Sequence, residues 1–103
     1  MTASAAAIAQ LERKAGEAAR LLKLLANEQR LLILCRLIVA GEMSVGDIAT
    51  ALELGQSALS QHLAKMRQDG VVATRREGQV VFYRIADKNV ARVLGLLKSI
   101  YCP

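Results

Sequence analysis

The sequence is poor in residues that interrupt or cross-link a chain. Its single proline is the final residue, Pro103, so no proline breaks a helix anywhere before it. Tryptophan is absent and the aromatic residues are only Phe82, Tyr83 and Tyr101, so a core must be assembled from Leu, Ile, Val and Ala. The one histidine, His62, has no second histidine beside it. Two cysteines, Cys35 and Cys102, fall short of the four N or S ligands of a tetrahedral zinc site. No metal and no cofactor is expected. Neither a Gly-rich phosphate loop nor a Ser-His-acid set is visible, which argues against an enzyme. No apolar run reaches the ~18 residues of a membrane span; the longest, Leu31 to Ala40, is broken by Arg36. Glu12, Arg13 and Lys14 occupy the stretch where a signal peptide needs an apolar core. The expected compartment is therefore cytoplasmic, with no membrane partner and with reduced thiols rather than a disulfide framework.

What is present is apolar surplus and positive charge. Of 103 residues, 53% are apolar, which is high for a small soluble monomer. The length suits one domain, 1–103. Fourteen Lys and Arg against nine Asp and Glu leave a net charge of +5, which permits a nucleic-acid partner without requiring one.

Periodicity supplies the architecture. Residues 1–7 are small and expected to fray. Ile8, Leu11, Ala15, Ala18, Leu22 and Leu25 recur at helical spacing, predicting one amphipathic helix over 8–26. Asn27 is a candidate cap for a second helix ending at Gly41. That helix carries LLILCRLIVA, apolar on nearly every side, and should be the most buried element. Ser44 and Asp47 have capping-box spacing before a short helix to about Leu52. After the turn Glu53-Leu54-Gly55, a further helix from Gln56 to Asp69 places Leu59, Leu63 and Met66 on one face, and Gly70 stops it. Two helices joined by so short a turn form a helix-turn-helix.

The period then changes. Val71–Thr74 and Val80–Ile85 are β-branched and aromatic runs around Arg75-Arg76-Glu77-Gly78-Gln79, predicting a hairpin with its tip in that segment. Asp87 can cap a last helix through about Tyr101. The expected fold is mainly α with a small β-hairpin, in the order α-α-α-α-β-β-α: a winged helix-turn-helix.

With Leu59, Leu63 and Met66 inward, Gln56, Ser57, Ser60, Gln61 and Lys65 point outward, and His62 lies at the edge of the same helix. Gln reads adenine bidentately in the major groove, and Ser is permissive. Lys65, Arg67, Arg75, Arg76 and Arg84 against Asp69 and Glu77 give this stretch a net charge of +3. Arg75 and Arg76, with Gln79, sit at the hairpin tip and are candidates for phosphate or minor-groove contacts. Double-stranded DNA is the expected partner. A plain solvated helix face, in a protein-interaction module that never binds DNA, is the bland alternative.

The segments Leu24–Leu34, Ser60-Gln61-His62-Leu63, Asp69-Gly70-Val71-Val72 and Gly78–Tyr83 resemble the ArsR-type winged-helix repressors over roughly residues 15–103. The resemblance implies a homodimer with the first and last helices at its interface, which would absorb the apolar surplus. It also implies repression of a pseudo-palindromic operator, with recognition helices roughly 34 Å apart. The metal sites of the family are absent as patterns: Ser44–Ile48 holds no Cys, and Asp87-Lys88-Asn89 holds no His.

The pair Cys35 and Cys102, in Leu34-Cys35-Arg36 and Tyr101-Cys102-Pro103, is similar to that of the BigR- and HlyU-like branch of this family. That likeness implies sensing of sulfane-sulfur species: persulfides convert the two thiols into a sulfur-containing bridge, and DNA affinity falls. Read from the residues alone, Cys35 lies in a stripe with Leu31, Leu34 and Ile38 and could be an inert core thiol. A general thiol-oxidation sensor forming a plain disulfide, a regulator without this inducer, and a sulfur-transfer enzyme remain alternatives.

Overall fold

A computed structural model describes residues 4–102. The elements run α1 (Ala5–Arg13), α2 (Ala15–Leu25), α3 (Glu28–Ala40), β1 (Met43–Ser44), α4 (Val45–Leu52), α5 (Gln56–Gln68), β2 (Val72–Glu77), β3 (Val80–Ile85) and α6 (Lys88–Tyr101). The mainly helical winged fold is as expected, but the order α-α-α-α-β-β-α is corrected in two places.

First, the helix foreseen over 8–26 is two helices. At Lys14 the backbone leaves helical geometry (φ −106°, ψ 11°), and its N–H donates to the Leu11 carbonyl three residues back. Gly16, a weak helix former, opens the next turn and lowers the cost of the break. The start also lies earlier: Ser4 Oγ accepts from the Ala7 N–H at 3.1 Å, so residues 5–7, expected to fray, form the first turn of α1. Residues 1–3 of that segment lie outside the described residues.

Second, a two-residue strand precedes α4. β1 pairs antiparallel with β3 (Met43 opposite Tyr83, Ser44 opposite Phe82), giving a three-stranded sheet in the order β1-β3-β2. Two residues are too few for any periodicity to announce them. The hairpin is tighter than expected. β2 continues through Arg75, Arg76 and Glu77, and only Gly78 and Gln79 form the turn. Gly78 has φ +61°, whereas Gln79 does not have positive φ; that sign pattern belongs to a type II′ turn, which favours Gly first.

The caps explain why the helices begin and end where they do. Asn27 Oδ1 accepts from the Arg30 N–H (3.1 Å), Ser44 Oγ from the Asp47 N–H (3.1 Å), and Asp87 Oδ1 from the Asn89 N–H (2.8 Å). Each satisfies a donor that the helix start leaves without an intrahelical partner. α5 ends in a Schellman motif: Val71 N–H donates to Met66 O and Gly70 N–H to Arg67 O, with Gly70 at φ +76°. Val71 and Met66, which this motif brings together, are both fully buried.

The core gathers Leu24 and Leu25 of α2, Ile33, Leu34 and Leu37 of α3, Ile48 of α4, Leu59, Leu63 and Met66 of α5, Val71, Val72 and Val90. α3 is not buried all round, contrary to its composition. Leu32, Cys35, Ile38 and Val39 lie exposed, so its second apolar face has no cover among the described residues. α1 buries no residue at all. Among the described residues, no helix is long and apolar enough to cross a membrane.

Candidate nucleic-acid interface and the two cysteines

α4 and α5 are joined by Glu53-Leu54-Gly55. Glu53 caps α4 in the left-handed region (φ 54°), and Gly55 is the N-cap of α5. Gly55 supplies no side-chain acceptor, so the first-turn N–H groups of α5 are left open to an outside acceptor. Leu59, Leu63 and Met66 anchor the helix in the core at three- and four-residue spacing, as its sequence predicts. Rotation about the axis then leaves Gln56, Ser57, Ser60, Gln61 and Lys65 exposed. Lys65 is not free of partners: its Nζ lies 3.3 Å from Asp69.

His62 differs from its neighbours. It is half-buried, and its Nδ1 accepts a hydrogen bond from Arg30 Nε at 3.4 Å. Arg30 also donates from Nη1 to the Leu24 carbonyl at 3.2 Å, at the C-terminal end of α2. His62, expected among the DNA-facing residues, is thus turned toward α3. Sequence spacing could not reveal an Arg 32 positions away.

The wing also differs from expectation. Arg75 and Arg76 lie on β2 rather than in the tip, and successive residues of a strand point to opposite faces. Arg76 is exposed and takes part in no ion pair or side-chain hydrogen bond among the described residues. Arg75 is fully engaged. Its Nη2 and Nε meet Oε1 and Oε2 of Glu42 at 2.7 and 3.1 Å, and its Nη1 meets Glu77 at 2.7 Å. Its guanidinium lies 4.6 Å from the centre of the Phe82 ring. The hydrogen bond from Arg75 holds the Glu42 carboxyl below its usual range, and the hydrogen bonds that the guanidinium donates to Glu42 and then Glu77 raise it further above its own. Arg75 is therefore not free at a hairpin tip: it lies on β2 at the centre of an ion-pair network. Glu42, 33 positions away along the chain, is the residue that makes the difference. Gln79 is exposed in the turn, where its side chain meets solvent.

Cys35 and Cys102 are free thiols, and both are exposed. The buried-stripe reading of Cys35 fails: Leu34 and Leu37 point inward, and Cys35 faces out with Arg36. Among the described residues no group of three or more His, Cys, Asp and Glu could hold a metal ion.

A short turn, a core-anchored second helix with a polar outer face and a three-stranded wing define a winged-helix DNA-binding protein. Comparison with known proteins narrows this class. Residues 27–74 match the family described as bacterial regulatory protein, arsR family. The chain is 50% identical over 93 residues to the transcriptional activator HlyU of Vibrio cholerae, covering 90% of this chain and 85% of that protein. It is 44% identical to the biofilm growth-associated repressor of Agrobacterium fabrum, covering 89% and 78% of the two chains. Among solved structures, the transcriptional repressor BigR of Xylella fastidiosa superposes with a TM-score of 0.87 at 38% identity, covering 100% of this chain and 99% of that one. The chain belongs to the arsR family of bacterial regulatory proteins. It is a DNA-binding transcriptional regulator, not an enzyme.

Proposed function

We propose that this regulator binds a pseudo-palindromic operator as a homodimer, and that persulfides lower its affinity by linking Cys35 to Cys102. The reading of DNA rests on one observation: α5 presents Gln56, Ser57, Ser60 and Gln61 as an uninterrupted exposed polar face on a helix anchored by three buried side chains. Arg76, Lys65 and Gln79 flank it as candidate backbone contacts. Support for the dimer comes from apolar side chains that one chain leaves open, Ile8 and Leu11 on α1 and Leu96, Ile100 and Tyr101 on α6. A two-fold dimer then presents two α5 helices to successive major grooves.

The redox switch rests on two exposed free thiols. Each thiolate takes the sulfane sulfur of a persulfide RSSH and releases RSH, leaving two protein persulfides. One of these attacks the inner sulfur of the other and expels hydrogen sulfide. The cysteines are then joined through a chain of three sulfur atoms, their own two Sγ and one added between them. Sulfane sulfur is the oxidant, and no further co-reactant is consumed. The bridge constrains α3 relative to the end of α6, and the spacing of the two α5 helices changes with it.

Glutathione persulfide tests this directly. Intact mass should rise by one sulfur and fall by two hydrogens, with loss of DNA binding. Release that persists in Cys35→Ser overturns the switch, and equal release by diamide points instead to a plain disulfide sensor. The likenesses to HlyU and BigR support the assignment to this group of regulators.

A further inference from the structure

The three strands of the wing sheet share one outward face. Ser44 stands opposite Phe82, and Phe82 opposite Arg75, so these three lie in a row across β1, β3 and β2. Glu77, two after Arg75, falls on the same face by strand alternation, and Glu42, just before β1, reaches that face through its hydrogen bonds with Arg75. Arg75 reaches from β2 across β3, over the Phe82 ring, to Glu42 on the far side. Ser44 ends β1 and caps α4, so Glu42 sits two residues before the cap of the first helix of the helix-turn-helix. The network therefore ties the outer strand of the wing to the start of that helix.

An exposed ion pair generally contributes little, because water screens it and two side chains must be ordered. The exceptions are bidentate Arg–carboxylate pairs and networks, and this group is both. Every nitrogen of the Arg75 guanidinium has a carboxylate oxygen partner within 3.1 Å. Glu42 and Glu77 supply two negative charges to Arg75, and Arg84, whose charge also acts on Glu42, brings the group only to neutrality, so the cluster as a whole does not attract phosphate.

We propose that Arg75 and Glu42 are positioning residues for DNA binding: their ion pair across β3 holds the wing against α4, and Arg75 itself neutralises no phosphate. This rests on the reading that the wing meets DNA. The backbone contact of the wing falls to Arg76, which is exposed on the neighbouring strand position and unpaired among the described residues.

Two substitutions separate the two roles, one of them by the sign of its effect. Glu42→Gln keeps the size of the side chain and removes one negative charge near the duplex. If charge alone mattered, it would tighten binding; if the network positions the wing, it weakens binding. Contacting residues typically couple by roughly two- to a hundredfold, and we expect about five- to tenfold weakening. Arg75→Lys keeps the charge and loses the planar fork. It should weaken binding as Glu42→Gln does, and the double variant should be no weaker than either single one. The slope of log affinity against log salt should stay at the wild-type value in all three.

The probes are a duplex selected by the wild-type protein from a randomised pool and a random-sequence duplex of equal length. Circular dichroism and thermal melting confirm that each variant is folded. Glu42→Gln binding as tightly as wild type or tighter, or Arg75→Lys binding like wild type, overturns the positioning role while leaving DNA binding intact. A wild-type protein that binds neither duplex at low salt overturns both readings.

Discussion

Arg30 on α3 donates from Nε to Nδ1 of His62 on α5, and from Nη1 to the carbonyl of Leu24 on α2. One side chain thereby joins three helices at the inner edge of the recognition helix. Arg30→Ala should destabilise the fold more than His62→Ala. The first change removes two hydrogen bonds, while the second leaves the Leu24 bond intact. A charged donor in such a bond contributes about 1.5–3 kcal/mol, a typical neutral bond about 1 kcal/mol. Urea denaturation of both variants and the double variant measures the coupling; equal losses from the two single changes would contradict the arrangement.

Base reading and backbone contact should separate along α5 and β2. Gln61→Ala is expected to lose ~1–3 kcal/mol of discrimination at one base position and little on random DNA. Arg76→Ala should weaken all duplexes alike and flatten the salt slope by about one unit. Fluorescence anisotropy across a salt series reads both.

The apolar faces of α1 and α6 make a prediction about assembly. Leu96 and Ile100 are 57% and 58% exposed in the single chain, a poor situation for two large side chains unless a second copy covers them. Leu96→Glu with Ile100→Glu should shift the protein to monomer in sedimentation, with its helix content unchanged. Operator affinity should fall with it, since the two half-sites are then bound independently.

Acid should release the wing before it unfolds the core. Because Arg75 holds the Glu42 carboxyl below its usual range, the ion pair is complete above the ordinary value of 4.5 and is lost as pH falls through the lowered folded value. An NMR titration should find the Glu42 carboxyl titrating at lower pH in the wild type than in Arg75→Met. Coincident curves would show that the pair does not form in solution.

Helix starts should be sensitive to their caps. Asn27→Ala removes the acceptor for the Arg30 N–H and should cost about 1 kcal/mol in thermal or urea unfolding.

Much of this molecule is legible from spacing. Leu59, Leu63 and Met66 recur at helical intervals, and burying them leaves Gln56, Ser57, Ser60 and Gln61 outside whatever else the chain does. Asn27, Ser44 and Asp87 act locally, within three residues, so their caps can be read directly. Local order along the chain thus dictates the helix-turn-helix, the existence of the hairpin and the polar face. The remaining features come from packing, because each depends on partners distant along the chain. Arg75 and Glu42 stand 33 positions apart, and only the pairing of β1 with β3 brings them together. The same holds for Arg30 and His62, 32 positions apart. Composition counts the apolar residues of α3 but does not say which face the other helices cover, so Cys35 emerges outside a core that its size and polarity would suit. Periodicity records which residues share a face; packing determines which face is covered and which charges are already paired.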